Sequence, residues 1–129
     1  MKTVKNVVLG LFLIAFSVGA QAQDKTKNID FVKTISLEQT KGEFTQKAIT
    51  ISEGTYVFEI SNVGVDHEVG FVLAPVGKTD AEFHIKSAYV TAAVATNTTG
   101  HSNKVVLKKG EYVYFCPLNP TPEYTLIVK

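Results

Sequence analysis

Along most of the chain apolar and polar positions alternate with a period of two, in short runs separated by glycine, proline, asparagine and charged residues. That alternation places one set of side chains on one face of a strand. Residues 29–37 read as the first strand, with Phe31, Ile35 and Leu37 on a common face and Gln39-Thr40-Lys41-Gly42 as the turn after it. Residues 44–52 alternate again through Ala48-Ile49-Thr50-Ile51, and Tyr56-Val57-Phe58-Glu59-Ile60 is a strong strand. Glu53-Gly54 between them is a hairpin signal, since glycine reaches positive φ at little cost. Residues 61–66 carry asparagine and glycine and form a loop that ends at His67, and 69–73 is the next strand, closed by Ala74-Pro75.

Residues 79–93 break the pattern. Thr79-Asp80-Ala81-Glu82 has the form of a capping box, and Ala81, Ile85, Ala88, Tyr89 and Ala92 recur at helical spacing. A helix of about three turns is expected there. Residues 96–103 read as a polar loop containing Gly100 and His101. Residues 105–107 form a strand and Lys108-Lys109-Gly110 a turn. A strand rich in aromatic and β-branched residues then runs into Cys116, a loop with Pro117, Pro120 and Pro122 follows, and 124–128 is a last apolar strand. Short strands at roughly ten-residue spacing predict an all-β Greek-key sandwich of seven or eight strands with one short inserted helix.

The first 22 residues fall outside this pattern. Lys2 and Lys5 precede an apolar run over 7–18, and Ala20-Gln21-Ala22 is a small-x-small cleavage site. Residues 1–22 therefore read as a signal peptide cleaved after Ala22, and 23–129 as one exported domain, periplasmic or secreted. Without Lys2 and Lys5 the formal charge moves from +1 to −1, and the chain holds no arginine. Nucleic-acid binding has little to rest on in such a surface. A second apolar run of membrane length is absent from the sequence, so no membrane span is expected in the mature chain.

One cysteine in an exported chain cannot close an internal disulfide. Cys116 is then a buried inert thiol, an intermolecular partner or a metal ligand. Cys116 with His67 has the elements of a thiol nucleophile, but no orienting group or oxyanion element completes it, and the chain does not read as an enzyme.

Three stretches carry a resemblance. They are Ile49-Thr50-Ile51-Ser52-Glu53-Gly54-Thr55-Tyr56-Val57-Phe58, then Asn62-Val63-Gly64-Val65-Asp66-His67, then Gly110-Glu111-Tyr112-Val113-Tyr114-Phe115-Cys116-Pro117. In this order and separation they resemble the cupredoxins, the plastocyanin- and azurin-like blue copper proteins, over almost all of 23–129. The resemblance implies a sandwich with His67 and Cys116 at one end and Tyr112, Tyr114 and Cys116 on one inward face. It also implies copper as cofactor, electron transfer or copper handling as function, and a redox or copper-handling protein as partner.

The ligand loop departs from the family. Where plastocyanin-like members have histidine three residues after the cysteine and methionine eight after, this chain has Asn119 and Tyr124, and neither residue type occurs after Cys116. The remaining imidazoles are His84, read as a surface side chain, and His101, preferred as second nitrogen ligand because a loop can reach the rim. The candidate copper set is His67, Cys116 and His101, with Glu68, Asn119, Glu123 and Tyr124 as further oxygen donors suited to a harder Cu(II) site. The alternative is a metal-free cupredoxin-like module with a structural or protein-binding role.

Overall fold

The computed structural model describes residues 31–129. The expected leader, its cleavage after Ala22 and the first residues of the first predicted strand lie outside the described residues. Nine strands follow in order: β1 Val32–Thr40, β2 Glu43–Phe44, β3 Ala48–Ile51, β4 Gly54–Asn62, β5 Val72–Pro75, β6 Thr99–His101, β7 Val105–Leu107, β8 Gly110–Phe115 and β9 Tyr124–Val128. They form two sheets. One runs β2-β1-β4-β6, with β7 pairing the other half of β4, and the second runs β3-β9-β8-β5.

The all-β sandwich is therefore as expected, and its strand count is higher because two segments differ from the alternation pattern. Residues 44–52 are not one strand. They break at 45–47 into β2, which pairs with β1, and β3, which pairs with β9 in the other sheet. The polar loop expected at 96–103 contains β6, whose Glu59↔His101 and Ser61↔Thr99 pairs put polar side chains on a solvated sheet face. Polar composition marks such a strand as loop although its backbone pairs in register with β4.

Glu53-Gly54 does not close a hairpin. β3 pairs in parallel with β9, and β4 pairs in parallel with β1, so the turn carries the chain from one sheet to the other. A turn signal reports that the chain reverses, not which sheet receives it. The apolar faces of both segments are served by this crossing. β4 buries Tyr56, Phe58, Ile60 and Asn62, and β1 buries Ile35, Leu37 and Gln39. Phe31, expected on that same face, is 73% exposed.

The predicted helix over 79–93 is replaced by two 3-10 turns, Ala81–Phe83 and Lys86–Ala88. The Thr79 capping box does not form, since Asp80 occupies the cap and makes no side-chain bond. Tertiary bonds explain the difference. The Ile85 N–H goes to the Leu73 carbonyl on β5 at 2.8 Å, and the His84 ring goes back to the Thr79 carbonyl at 2.8 Å. The Ile85 N–H and the Thr79 carbonyl are thereby diverted from helical partners, in a stretch whose Phe83, His84 and Ile85 are weak helix formers.

Between the sheets sits an aromatic core. Phe44 meets Tyr114 edge-on at 5.1 Å between ring centroids, and Phe58 lies 4.7 Å from Phe71. Offset and edge-on aromatic pairs of this kind add to the burial of their area.

Candidate functional site

Cys116 follows directly on β8. Side chains alternate along that strand, so Tyr112, Tyr114 and Cys116 share the core-facing side: Tyr112 is half-buried, and Tyr114 and Cys116 are buried. The next residues fold back on the cysteine. Thr121 Oγ1 accepts the Cys116 N–H at 3.1 Å, and the Thr121 N–H reaches the Cys116 carbonyl at 3.3 Å. Pro120 and Pro122 fix φ and restrict the residues before them to extended backbone, which stiffens this return.

The sulfur accepts two main-chain N–H bonds, from Gly70 and from Asn119, each at 3.2 Å. Those two residues are joined again on the far side. The Gly70 carbonyl accepts from Gln39 Nε2 at 2.7 Å, and Gln39 Oε1 accepts from Asn119 Nδ2 at 3.0 Å. Sulfur, Gly70, Gln39 and Asn119 thus form a closed ring of hydrogen bonds. Gln39 is fully buried and Asn119 is 2% exposed. Asn119 is completely satisfied, because its second Nδ2 hydrogen goes to the Thr40 carbonyl at 2.9 Å and its Oδ1 accepts the Gly42 N–H at 2.7 Å. The turn that offers this N–H has Gly42 at φ +77°, where a side chain is strained.

His67 lies on the loop between β4 and β5. Asn62, 1% exposed, organises that loop: its Oδ1 accepts the Val65 N–H, and its Nδ2 donates to the carbonyls of His67 and Val94. The His67 ring itself is exposed, with Nδ1 donating to the Glu68 carbonyl at 3.0 Å. The amide that touches the sulfur from this side belongs to Gly70, three residues further along. His101 lies on β6 in the other sheet and faces solvent, with Nε2 3.2 Å from Glu59 Oε2, while Ser36 Oγ donates to Glu59 Oε1 at 2.8 Å. Glu68 and Glu123 are exposed. The Tyr124 hydroxyl accepts the Phe44 N–H at 3.4 Å, and its ring packs on Phe44 and Tyr114. Among the described residues no three of histidine, cysteine, aspartate and glutamate are gathered into a group that could hold an ion.

No family model and no curated protein sequence matches the chain. Solved structures do. Auracyanin A, a "blue" copper protein from Chloroflexus aurantiacus, matches at 19% identity and TM-score 0.60, covering 77% of this chain and 100% of that one. Auracyanin from Roseiflexus castenholzii matches at 14% identity and TM-score 0.59, covering 75% and 97%. Amicyanin from Paracoccus versutus matches at 16% identity and TM-score 0.50, covering 74% and 81%. The chain has the cupredoxin fold.

Within that fold the residues around Cys116 do not fit a trigonal copper centre of one thiolate and two imidazoles. Position 119, where plastocyanin-like members of the family place an imidazole, carries an amide whose donors and acceptor are all engaged inside the chain. Position 124 carries a ring committed to the core. His84, read from sequence as a surface residue, is half-buried instead. Its Nε2 donates to the Thr79 carbonyl, and its Nδ1 lies 2.7 Å from the Tyr89 hydroxyl. Sequence reasoning missed Gln39 by placing it in a turn. The signal was there, since Ile35, Leu37 and Gln39 continue one period-two series.

Proposed function

We propose that the protein is an exported cupredoxin-fold module that works without a metal at Cys116, in a structural or protein-binding role and not as an enzyme. The observation that carries this reading is the closed ring through the Cys116 sulfur, Gly70, Gln39 and Asn119, together with the bonds to Gly42 and Thr40 that engage the rest of the Asn119 side chain at the metal end of the fold. Hydrogen bonds between the buried side chains of Gln39 and Asn119 hold this end together in place of an ion. Export through a leader at 1–22, cleaved after Ala22 into the periplasm or beyond, belongs to the same proposal.

A second reading is favoured by the fold and by the buried sulfur that ends β8. In it copper is bound by Cys116 with His67 and His101, Glu68, Asn119, Glu123 or Tyr124 supplies oxygen, and the protein hands electrons or copper to a redox or copper-handling partner. It requires His101 to leave Glu59 and reach Cys116 from the solvated face of the other sheet. Copper titration of the protein under reducing and oxidising conditions, followed by absorption and electron paramagnetic resonance, separates the two. The metal-free reading expects no thiolate-to-copper charge-transfer band. Stoichiometric binding with such a band, lost in both Cys116→Ser and His67→Ala, establishes the copper reading instead.

A further inference from the structure

Residues 69, 71 and 73 lie two apart on the chain that enters and forms β5, so their main-chain polar groups leave the same side of the strand. That side is the free edge of the sheet, because β5 is its outermost strand. Gly70 and Val72 point the other way, Gly70 to the Cys116 sulfur and Val72 opposite Phe115 on β8. Two of the three edge residues are covered by the segment that follows. Val69 and Val94 exchange both main-chain bonds, at 3.0 and 2.8 Å, and the Leu73 carbonyl takes the Ile85 N–H. Phe71, midway between these two clamps, has no partner for its N–H or its carbonyl among the described residues, although it is only 2% exposed.

Buried main-chain groups are nearly always paired, and an unpaired set calls for an occupant. One space is available. Between the clamps, beside the segment that runs from His84 to Ala93, lies an open cavity of about 340 Å³ that Phe71 lines. Its walls are Val72, Val90, Ala93 and Pro117. At one side the Tyr89 hydroxyl meets His84 Nδ1 at 2.7 Å, with His84 Nε2 held by Thr79. In the neutral ring Nε2 carries the hydrogen and Tyr89 donates to Nδ1, which leaves a lone pair on the phenolic oxygen to accept.

We propose that this cavity is a binding site for a small, largely apolar molecule bearing a carboxamide or an equivalent adjoining donor and acceptor. The adjoining groups pair with the Phe71 carbonyl and N–H, and the apolar body lies among the valines, Ala93 and Pro117. The size is at the lower end of small-molecule sites, which run from roughly 300 to 1,000 Å³. An added peptide strand fits the edge less well. Strand addition needs a run of free main-chain groups, and here the neighbours on both sides are already engaged. The proposal rests on the edge of β5 and is independent of how Cys116 is read, since Cys116 does not line the cavity.

Protein-observed nitrogen–proton NMR of the full chain tests it, with benzamide as the probe and ethylbenzene as the control that has a similar body and no amide. Saturable shifts centred on the amides of Phe71, Tyr89 and Val90 are expected with benzamide. Ethylbenzene is expected to bind about tenfold more weakly, as loss of hydrogen bonds to buried groups requires. Ala93→Phe, which fills the cavity from an exposed position, is expected to abolish the benzamide shifts while leaving the rest of the spectrum in place, and Ala93→Ser to retain them. Equal affinity for the two compounds overturns the proposal. So does benzamide binding that survives Ala93→Phe, or the absence of any saturable shift at Phe71.

Discussion

At Gly70 the chain entering β5 has both main-chain polar groups engaged, the N–H by the Cys116 sulfur and the carbonyl by Gln39. One residue later, at Phe71, neither group has a partner among the described residues. The two residues point to opposite sides of the same strand, and the difference lies in what the rest of the chain offers each side. Toward β8 the fold delivers side-chain amides from distant positions, Gln39 at the end of β1 and Asn119 in the proline loop, at lengths and angles that close a ring. Toward the free edge it delivers only main chain, and that main chain is clamped at Val94 and Ile85 with an open cavity between them. An end sealed by side chains is rigid without a ligand, and an edge bridged by backbone keeps room for one.

The largest way to break this comparison is Asn119→Leu. The variant keeps approximate volume but leaves Gln39 Oε1 without its partner in a buried setting and the Gly42 N–H and Thr40 carbonyl without theirs in a half-buried one. Removing one side of buried hydrogen bonds costs ~1–3 kcal/mol for a stranded group, so a total of about 3 kcal/mol is expected from urea unfolding. A loss below about 0.5 kcal/mol, the level of an ordinary surface substitution, means the ring does not hold the Cys116 end.

Why the sandwich was legible and this ring was not follows from the same residues. Ile35, Leu37, Tyr56, Phe58, Ile60, Tyr114 and Leu126 announce strands because burial imposes a period of two, and all of them are in the core. Gln39 belongs to that series but is polar, and a polar residue beside Thr40, Lys41 and Gly42 reads as a turn. Its role depends on Gly70 and Asn119, which stand 31 and 80 residues away. No local pattern encodes such a pairing. The segment 79–93 departs from its helical periodicity for a related reason, since the bond from Ile85 to Leu73 on β5 overrides it. The polar stretch around His101 reads as a loop able to reach Cys116, whereas strand pairing opposite Glu59 puts His101 on the outer face of the other sheet.

A smaller change sharpens the open side. Ile85 has φ −81°, and His84 before it is extended at φ −64° and ψ 141°, so proline fits position 85 without backbone strain. Ile85→Pro removes the N–H that clamps the Leu73 carbonyl, and with it part of a half-buried side chain. A cost of about 1–2 kcal/mol is expected, together with faster amide exchange over 86–93. Unchanged exchange in that segment means the clamp at Leu73 does not hold it against β5.

The smallest effect concerns Tyr114, two residues before Cys116 on the same inward face. Burial, with a further contribution from Tyr124, pushes its phenol from the ordinary 10.0 up to about 12. Its hydroxyl donates to the Gln46 carbonyl at 2.6 Å, which requires the neutral form. A folded-state value above the unfolded one means that the folded chain holds this proton more tightly. The associated stability is complete below pH 10.0 and declines as pH rises toward 12. Tyr114→Phe is therefore expected to cost about 1 kcal/mol at neutral pH through the lost hydrogen bond. The gap between the two proteins then narrows as unfolding is measured from about pH 8 to about pH 12, because only the parent must ionise a buried phenol or unfold to do so. A gap that stays constant over this range would place the Tyr114 hydroxyl in contact with water and separate the support under Cys116 from the sealed ring above it.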